Sequence, residues 1–276
     1  MLTNNGYFHL NVPITTAGST GASLFYNTDS LIVGALCNFT FSSTNFIYIN
    51  DPGAYLYSDA QFTFENIGFE VLDNKGKAVM GPSSVLRGKR LSGSTVISNT
   101  DSLFLQGTIE ISRFFGHAIN NTGYTENSGS FFSNNTNKGI LNNGGTFINS
   151  GSLRLDSIST DGLLLQGAQT FTNTSTGTIS TSVVIANSIK NEAGSFLNEG
   201  EIELGVRDSM GNTGIYNQAQ FTNKNLITIG GDGDVIGLNG IQNVAGGNLL
   251  NRGTINIGTG TAVFLGTGIP HPETFT

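Results

Sequence analysis

The side chains best suited to acid–base chemistry are two glutamates in the segment Glu201-Ile202-Glu203-Leu204. Because polar and apolar residues alternate there, the segment is predicted to be a strand with both carboxylates pointing outward, about 7 Å apart. That separation lies within the range of the carboxylate pairs of glycosidases. The corresponding positions of the neighbouring repeats, described below, hold Arg154 and Thr228, which supply no companion carboxylate. A solvated acidic face is therefore favoured over a catalytic pair.

Patterns for metals and cofactors are sparse. Asp232 and Asp234 lie in a Gly-rich stretch that is similar to a calcium-binding nonapeptide turn, but the match is one residue short and occurs once, so an ordinary turn is favoured. His9, His117 and His271 have no Cys or carboxylate at the spacing of zinc ligands. The chain also contains no phosphate loop, dinucleotide fingerprint or Gly-x-Ser-x-Gly motif. We predict no catalytic, cofactor-binding or metal-binding residues, and no cofactor.

Charge is low and negative, with one local exception. The net charge is −7 and the pI is about 4.8, which disfavours nucleic acid as a partner because phosphates select basic surfaces. The exception is a basic cluster within sixteen positions, for which a solvated hairpin or loop is favoured and a patch for acidic glycans is the alternative. Its members are Lys75, Lys77, Arg87, Lys89 and Arg90.

Composition indicates a folded, turn-rich, all-β chain. Its 276 residues include 38 Gly and 32 Asn, and 11% are charged, whereas typical chains have about 7% Gly and about 25% charged residues. A disordered chain would carry more charge and less apolar surface. No apolar run is long enough for a helix that spans or inserts into a membrane. The single Cys37 lies in an apolar run and is predicted to be a small buried hydrophobe.

A repeat of about 25 residues is the strongest pattern in the chain. Its phrase is a large apolar residue, any residue, Asn, any residue, Gly, and then two alternating apolar residues. A second phrase, Ile-x-Asn, precedes the first by six to eight residues, so each unit holds three short extended pieces separated by turn residues. The Asn of the first phrase is spaced by 24, 25, 25 and 28 residues, at Asn149, Asn173, Asn198, Asn223 and Asn251.

This spacing predicts a right-handed parallel β-helix, a solenoid with three short strands per turn of about 25 residues. One unit cannot bury its apolar face alone, whereas stacked units share a continuous core, and parallel crossovers are right-handed. The recurring Asn is predicted to form a ladder at a corner, where it tolerates left-handed backbone, and the Gly that follows is predicted to have a positive φ. A column of aromatic rings is expected inside, from Phe147, Phe171, Phe196 and Phe221.

The repeats divide the chain into two parts of one elongated domain. Residues 1–112 are predicted to be an irregular β-helical part with long excursions such as 72–93, and residues 113–276 to hold the regular repeats. The same Asn phrase begins at Leu2, imperfect copies begin at Phe64 and Leu103, and residues 119–139 resemble a unit without its third strand. Because the chain starts and stops within repeats and shows no signal peptide, we expect it to be an excerpt of a longer exported chain.

The repeat phrases Asn-x-Gly-x-Ile-x-Ile and Gly-Ile-x-Asn-x-x-Gly-x-Phe-x-Asn resemble those of large exported bacterial surface proteins. These are filamentous-haemagglutinin-like and autotransporter-type adhesins and Asn-rich repeat proteins of Bacteroidota surfaces. The Asn-Asn-Gly and Asn-Glu-Gly turns are also similar to the amino-terminal domain of fungal hyphally regulated cell-wall adhesins. The resemblance implies an extracellular protein of the cell surface or cell wall. Sequons that suit a secreted eukaryotic protein occur at Asn38, Asn120, Asn134 and Asn173.

Two classes of function follow from these patterns. The favoured one is not an enzyme but an adhesin or structural stalk module that presents loops to a glycan or protein on a host, cell or matrix surface. The alternative is a polysaccharide-active β-helix enzyme, a lyase or hydrolase, with its groove in residues 1–135. Any binding surface is expected in the irregular first half, since loops carry function. An ice-binding face is disfavoured because charges such as Arg154 and Glu203 interrupt the outward Thr column.

Overall fold

The computed structural model describes residues 2–19, 23–91, 93, 95–167, 169–206, 210–231, 235–258 and 263–264. Within these ranges the regular elements are β-strands, all paired in parallel, and no helix there is long and apolar enough to cross a membrane. In chain order the strands are β1 Leu2–Asn4, β2 Tyr7–Leu10, β3 Ile14–Ser19, β4 Phe25–Asn27, β5 Ser30–Val33, β6 Cys37–Asn50, β7 Tyr55–Ser58, β8 Gln61–Glu65, β9 Ile67–Asn74, β10 Lys77–Met80, β11 Val85–Leu91, β12 Thr95–Asn99, β13 Ser102–Leu105, β14 Thr108–Asn121, β15 Tyr124–Asn127, β16 Ser130–Asn143, β17 Thr146–Asn149, β18 Ser152–Ile158, β19 Leu163–Gln166, β20 Thr170–Asn173, β21 Thr178–Thr181, β22 Asn187–Asn191, β23 Ser195–Asn198, β24 Glu201–Leu204, β25 Thr213–Asn217, β26 Gln220–Asn223, β27 Leu226–Ile229, β28 Val235–Ile236, β29 Asn239–Asn243, β30 Asn248–Asn251, β31 Thr254–Ile257 and β32 Val263–Phe264.

The chain coils so that each strand pairs with its equivalent in the next coil. β22 pairs with β25, β23 with β26 and β24 with β27, and the same order recurs along the molecule. We call the three stacks the first, second and third face. The first face contains β1, β4, β9, β12, β19, β22, β25 and β29; the second contains β2, β5, β7, β10, β13, β15, β17, β20, β23, β26 and β30; the third contains β3, β8, β11, β18, β21, β24, β27 and β31.

Three long strands, β6, β14 and β16, run from the third face of one coil to the first face of the next. The bend in β14 falls at Arg113, whose φ is 59°, and the bend in β16 at Asn135, whose φ is 54°. A single left-handed residue turns the strand as a β-bulge does, so this corner needs no loop. We call the left-handed residues of this column the corner residues; they are Asn66, Arg90, Arg113, Asn135 and Ser157.

The interior is a continuous column of apolar side chains. Along most strands of the second and third faces every other residue is buried, as the two-residue period of a strand requires. The predicted aromatic column is confirmed: Phe147, Phe171, Phe196 and Phe221 are fully buried, with ring centroids 5.0, 5.0 and 4.5 Å apart and ring planes within 9° of parallel. Cys37 is buried as predicted.

Asparagines, buried except for the half-buried last members Asn243 and Asn251, form hydrogen-bonded ladders at two corners of the coil. In each step Nδ2 donates to Oδ1 of the Asn one coil later, at 2.7 to 2.9 Å. The first ladder, after the first face, runs through Asn4, Asn27, Asn50, Asn74, Asn99, Asn121 and Asn142, and resumes through Asn191, Asn217 and Asn243. The second ladder, after the second face, runs through Asn127, Asn149, Asn173, Asn198, Asn223 and Asn251.

The left-handed backbone that was predicted to explain the Asn and Gly positions is not found there. None of the ladder asparagines has a positive φ, and neither do Gly151, Gly200 and Gly253. The asparagines are instead selected by their hydrogen bonds, since Nδ2 also donates to backbone oxygens, as Asn149 does to Gly151. The glycines are selected by space: a Cβ on Gly151 would collide with the carbonyl oxygen of Gly129 in the preceding coil.

The β-solenoid is therefore confirmed, while several register assignments were wrong. The described part of the predicted excursion 72–93 is no excursion, because β9, β10 and β11 place it in the ladders of the three faces. The unit at 119–139 has its third strand in β16. In the regular repeats the Asn phrase begins on the second face. Of the three earlier copies only the one at Leu103 does so, because Leu2 begins a first-face strand and Phe64 lies on the third face. The right-handed sense and the division near residue 112 stay predictions.

Candidate functional site

The outward side chains of the third face line an elongated groove. Its centre is a depression of about 500 Å³ between β8, β11, β14 and β16, and a second one of about 390 Å³ continues from it over β18, β21 and β24. The two share Phe132. We call this continuous surface the third-face groove. Its lining residues include Thr63, Arg87, Lys89, Glu110, Phe132, Asn134, Arg154, Ser180, Glu201 and Glu203.

A third depression, of about 730 Å³, opens at the corner beside this groove. Lys89, Ser112 and Asn134 of the groove precede Arg90, Arg113 and Asn135 of the corner in sequence, so the two surfaces adjoin. We call this depression the corner pocket. It is lined by Arg90, Arg113, Phe114, Phe115, Asn135, Thr136, Asn137 and Ser159.

Most cations of the groove have an anionic partner. Arg87 Nε lies 2.7 Å from Glu110 Oε2 on the next coil. Lys89 Nζ lies 2.8 Å from Glu65 Oε1 on the preceding coil, and this hydrogen bond together with the lysine charge lowers the pKa of Glu65. These pairs are exposed, so each contributes little to stability, but they hold the side chains extended along the groove.

Arg154 combines an ion pair with an aromatic contact. Its Nε donates to Asp156 Oδ2 at 2.7 Å, and its guanidinium carbon lies 4.8 Å from the ring centroid of Phe132. A guanidinium over an aromatic ring is held by the negative face of the ring. The contact fixes a flat Arg–Phe surface in the middle of the groove, on which a sugar ring or a planar side chain can pack.

The predicted carboxylate pair lies on the groove; of its two predicted neighbours, Thr228 is confirmed and Arg154 is wrong. Glu201 and Glu203 are half-buried on β24, and they lie next to Thr178 and Ser180 on the preceding coil. Strand β21 lies between β18 and β24 in the third-face stack. Arg154 is therefore two coils away from Glu203 rather than one. The coil after them supplies Leu226 and Thr228, which are also uncharged.

The basic cluster of the sequence is divided by the fold. Lys77 lies on the second face, where its Nζ is 5.8 Å from the Tyr55 ring centroid and 5.5 Å from that of Phe104. Lys75 pairs with Asp73 at 2.8 Å. Only Arg87, Lys89 and Arg90 share a surface, on β11. The predicted hairpin or loop was wrong, because parallel strands run through the cluster.

The histidines do not come together. His9 is exposed on the second face, whereas His117 is half-buried on the first face. Burial, with a smaller effect from Lys138, lowers the pKa of His117 to about 4. His271, Asp232 and Asp234 lie outside the described residues. Within the described ranges no three His, Cys, Asp or Glu side chains are grouped to hold a metal ion.

The sequons differ in accessibility. Asn38 is exposed on the third face, and Asn134 lines the groove. Asn173 is fully buried in the second ladder, where it accepts from Asn149 and donates to Asn198. A folded chain therefore cannot carry a glycan on Asn173.

Sequence reasoning did not identify Arg113, Phe115 or Phe132 as surface residues of one site. Arg113 lies 23 residues after Arg90, and Phe132 lies 22 residues before Arg154, so a spacing of about one coil was the available signal. The arrangement offers guanidinium groups, aromatic faces and amides along one open groove. Comparisons with protein families, curated proteins and solved structures gave no match to this chain.

Proposed function

We propose that this chain is an adhesive or structural module of a cell surface, a rigid β-solenoid that holds an extended ligand in its third-face groove. The observation that carries the proposal is the length of the groove, which crosses the strands from β8 to β24. These seven stacked strands span about 29 Å at the spacing of paired strands. An open surface of that length suits a glycan chain or an extended peptide better than a small molecule, which is usually held in an enclosed pocket.

The scaffold supports this role because it is uniform and stiff. The aromatic column and the asparagine ladders continue from coil to coil, so the outward residues of successive coils keep a fixed spacing. A preorganised surface loses little conformational entropy when it binds. An extracellular location and a host, cell or matrix partner belong to the same proposal, and the resemblance of the repeats to exported surface proteins supports them.

Binding of the purified chain to a glycan array and to cultured cells tests the proposal. We expect binding to extended saccharides, and at least a fivefold loss of affinity in Phe132→Ala, which removes the aromatic surface under Arg154. Phe104→Ala on the second face is the matched control and should bind as the wild type does. The absence of binding to every saccharide and cell type would overturn the proposal.

One observation favours a second candidate, the polysaccharide-active enzyme. Glu201 and Glu203 line the same groove that would hold the ligand, and alternate residues of a strand are about 7 Å apart, a separation found in inverting glycosidases. Incubation with pectin and alginate, followed by assays for new reducing ends and for unsaturated ends, decides between the two functions. Turnover that Glu201→Gln or Glu203→Gln abolishes would establish the enzyme in place of the adhesin.

A further inference from the structure

Two corner residues are arginines at a position whose backbone favours other residues. Arg90 and Arg113 have φ values of 60° and 59°, in the left-handed region. The other members of the column are Asn66, Asn135 and Ser157, and asparagine is the residue after glycine that best tolerates this conformation. The geometry of the corner therefore explains the asparagines, whereas it does not explain the arginines.

The two arginines occupy adjacent positions on neighbouring coils. Lys89 pairs with Ser112 and Leu91 with Phe114, which places Arg90 and Arg113 at matching positions of adjacent coils. Adjacent strands are about 4.8 Å apart, and like charges on neighbouring strands are destabilising. Among the ion pairs of the described residues, Arg87, Lys89 and Arg154 each have a carboxylate partner, and no pair includes Arg90 or Arg113.

The surroundings complete a binding surface. Both arginines line the corner pocket, together with the amide side chains of Asn135 and Asn137. Phe115 lies in the same pocket and is 80% exposed, while its neighbour Phe114 is 3% exposed. Hydrogen bonding of the Asn137 amide to the Phe115 carbonyl oxygen at 3.1 Å holds the two adjacent coils together at this point.

We propose that Arg90 and Arg113 bind the carboxylate or sulfate groups of an acidic glycan, with Phe115 packed against a sugar ring. This inference rests on the proposed adhesive function and names its ligand class. The planar guanidinium matches both kinds of anion through paired N–H donors, and a bound anion would offset two like charges placed at adjacent positions. Because the whole chain has a net charge of −7, general attraction cannot supply the binding of a polyanion, so the contacts must be local.

The test measures binding of the full chain to three immobilised polymers: dextran sulfate, polygalacturonate and uncharged dextran. We expect binding to at least one charged polymer and none to dextran, and the two charged polymers distinguish sulfate from carboxylate. The double variant Arg90→Asn/Arg113→Asn should bind at least tenfold more weakly. Asparagine suits the corner backbone, so this variant should also fold with unchanged or higher thermal stability. Binding should weaken between 50 and 200 mM salt.

Two further variants make the result specific. Arg252→Gln removes an exposed charge elsewhere on the chain and should leave binding within twofold of the wild type. Arg90→Lys/Arg113→Lys keeps the charge but loses the planar donor pair, and should recover only part of the affinity. Equal binding by the wild type and the Asn double variant overturns the inference, as does an equal loss in Arg252→Gln or no binding to either charged polymer.

Failure of this inference can be told apart from failure of the proposed function. A wild-type chain that binds neutral saccharides or cells, but neither charged polymer, retains the adhesive function and loses the anionic ligand. A chain that binds no polymer, saccharide or cell loses both.

Discussion

The side-chain oxygen of Asn191 is buried without a hydrogen-bond partner because Leu165 occupies the matching position of the preceding coil. Leu165 also lies next to Asn142 on its other side, so a single leucine separates the two segments of the first ladder. The second ladder begins in the same way, since Asn127 Oδ1 has no partner and the residue before it in the stack is Leu105. Each ladder segment that follows a leucine thus begins with an asparagine whose side-chain oxygen accepts no hydrogen bond.

Replacing Leu165 by asparagine should join the two segments. An amide at this position can accept from Asn142 Nδ2 and donate to Asn191 Oδ1, which satisfies a buried group whose desolvation costs about 1–3 kcal/mol. We expect the free energy of unfolding of Leu165→Asn to exceed that of Leu163→Asn by about 2 kcal/mol or more. Leu163 is the control because it is equally buried on β19 but lies outside the ladder.

Urea denaturation of the two variants checks this prediction. Equal destabilisation by Leu165→Asn and Leu163→Asn would mean that the ladder position does not favour an amide.

Removing an interior member should break the second ladder. Asn173→Ala leaves Asn198 Oδ1 without its donor and takes one acceptor from Asn149 Nδ2, which keeps the backbone oxygens of Gly151 and Thr178. We expect a loss of about 1–3 kcal/mol in the free energy of unfolding, the cost of one buried acceptor left without a partner. The neighbouring Thr172→Ala, whose side chain points outward, should cost less than about 1 kcal/mol. A loss in Asn173→Ala no larger than in this control would contradict a stabilising ladder.

Close packing of successive coils makes Gly151 sensitive to substitution. In Gly151→Ala the new methyl group would meet the carbonyl oxygen of Gly129, which cannot move without disturbing the parallel ladder. We expect a destabilisation of about 1–3 kcal/mol, as for overpacked sites. Gly6→Ala, where no atom lies within 4 Å of the new carbon, should leave the melting temperature within 1–2 °C of the wild type, roughly the effect of a neutral surface change. Similar melting temperatures for both variants would refute the steric explanation.

Glu70 should make stability depend on pH. Burial, with a smaller contribution from Asp73, raises the pKa of Glu70 to about 7 from an ordinary value of 4.5, against the opposing charge of Lys75. The folded chain therefore holds a proton that the unfolded chain loses between pH 4.5 and 7. Protonation of Glu70 therefore stabilises the fold fully below pH 4.5. This stabilisation decreases as the pH rises from 4.5 to 7 and is absent above pH 7.

Thermal unfolding from pH 4 to 8 measures this effect. Glu70→Gln should gain melting temperature relative to the wild type as the pH rises, and Glu203→Gln serves as a distant control. A constant difference between Glu70→Gln and the wild type across this range would contradict the assignment.

The coil itself could be predicted from sequence because its determinants repeat. Phe147 and its equivalents recur at one coil length, and so do the asparagines of the second ladder, so the stacking order follows from spacing alone. The first half was harder, because the second corner there is occupied by Leu10, Val33, Ser58, Met80 and Leu105 instead of asparagine. The phrase around Asn4 matches the phrase that contains the second-ladder asparagines, but Asn4 belongs to the first ladder.

The candidate site was less predictable, since it depends on which coils are adjacent. Arg113 joins Arg90 only when residues one coil apart are brought together, and the bend that exposes them comes from a left-handed residue in mid-strand that no Gly or Pro announces. Coil order also separates residues that the sequence suggested were neighbours: β21 lies between β18 and β24, and therefore between Arg154 and Glu203.

We propose that the third face, including its corner, is the binding surface. Hydroxyl-radical footprinting of the full chain, with and without dextran sulfate or the best saccharide from the array, can locate the bound ligand because both faces carry aromatic side chains. We predict that the ligand protects Phe115 and Phe132, and leaves Tyr55 and Phe104 on the second face unchanged. Protection of Tyr55 and Phe104 with none at Phe115 and Phe132 would place the ligand on the second face and overturn the proposed binding surface.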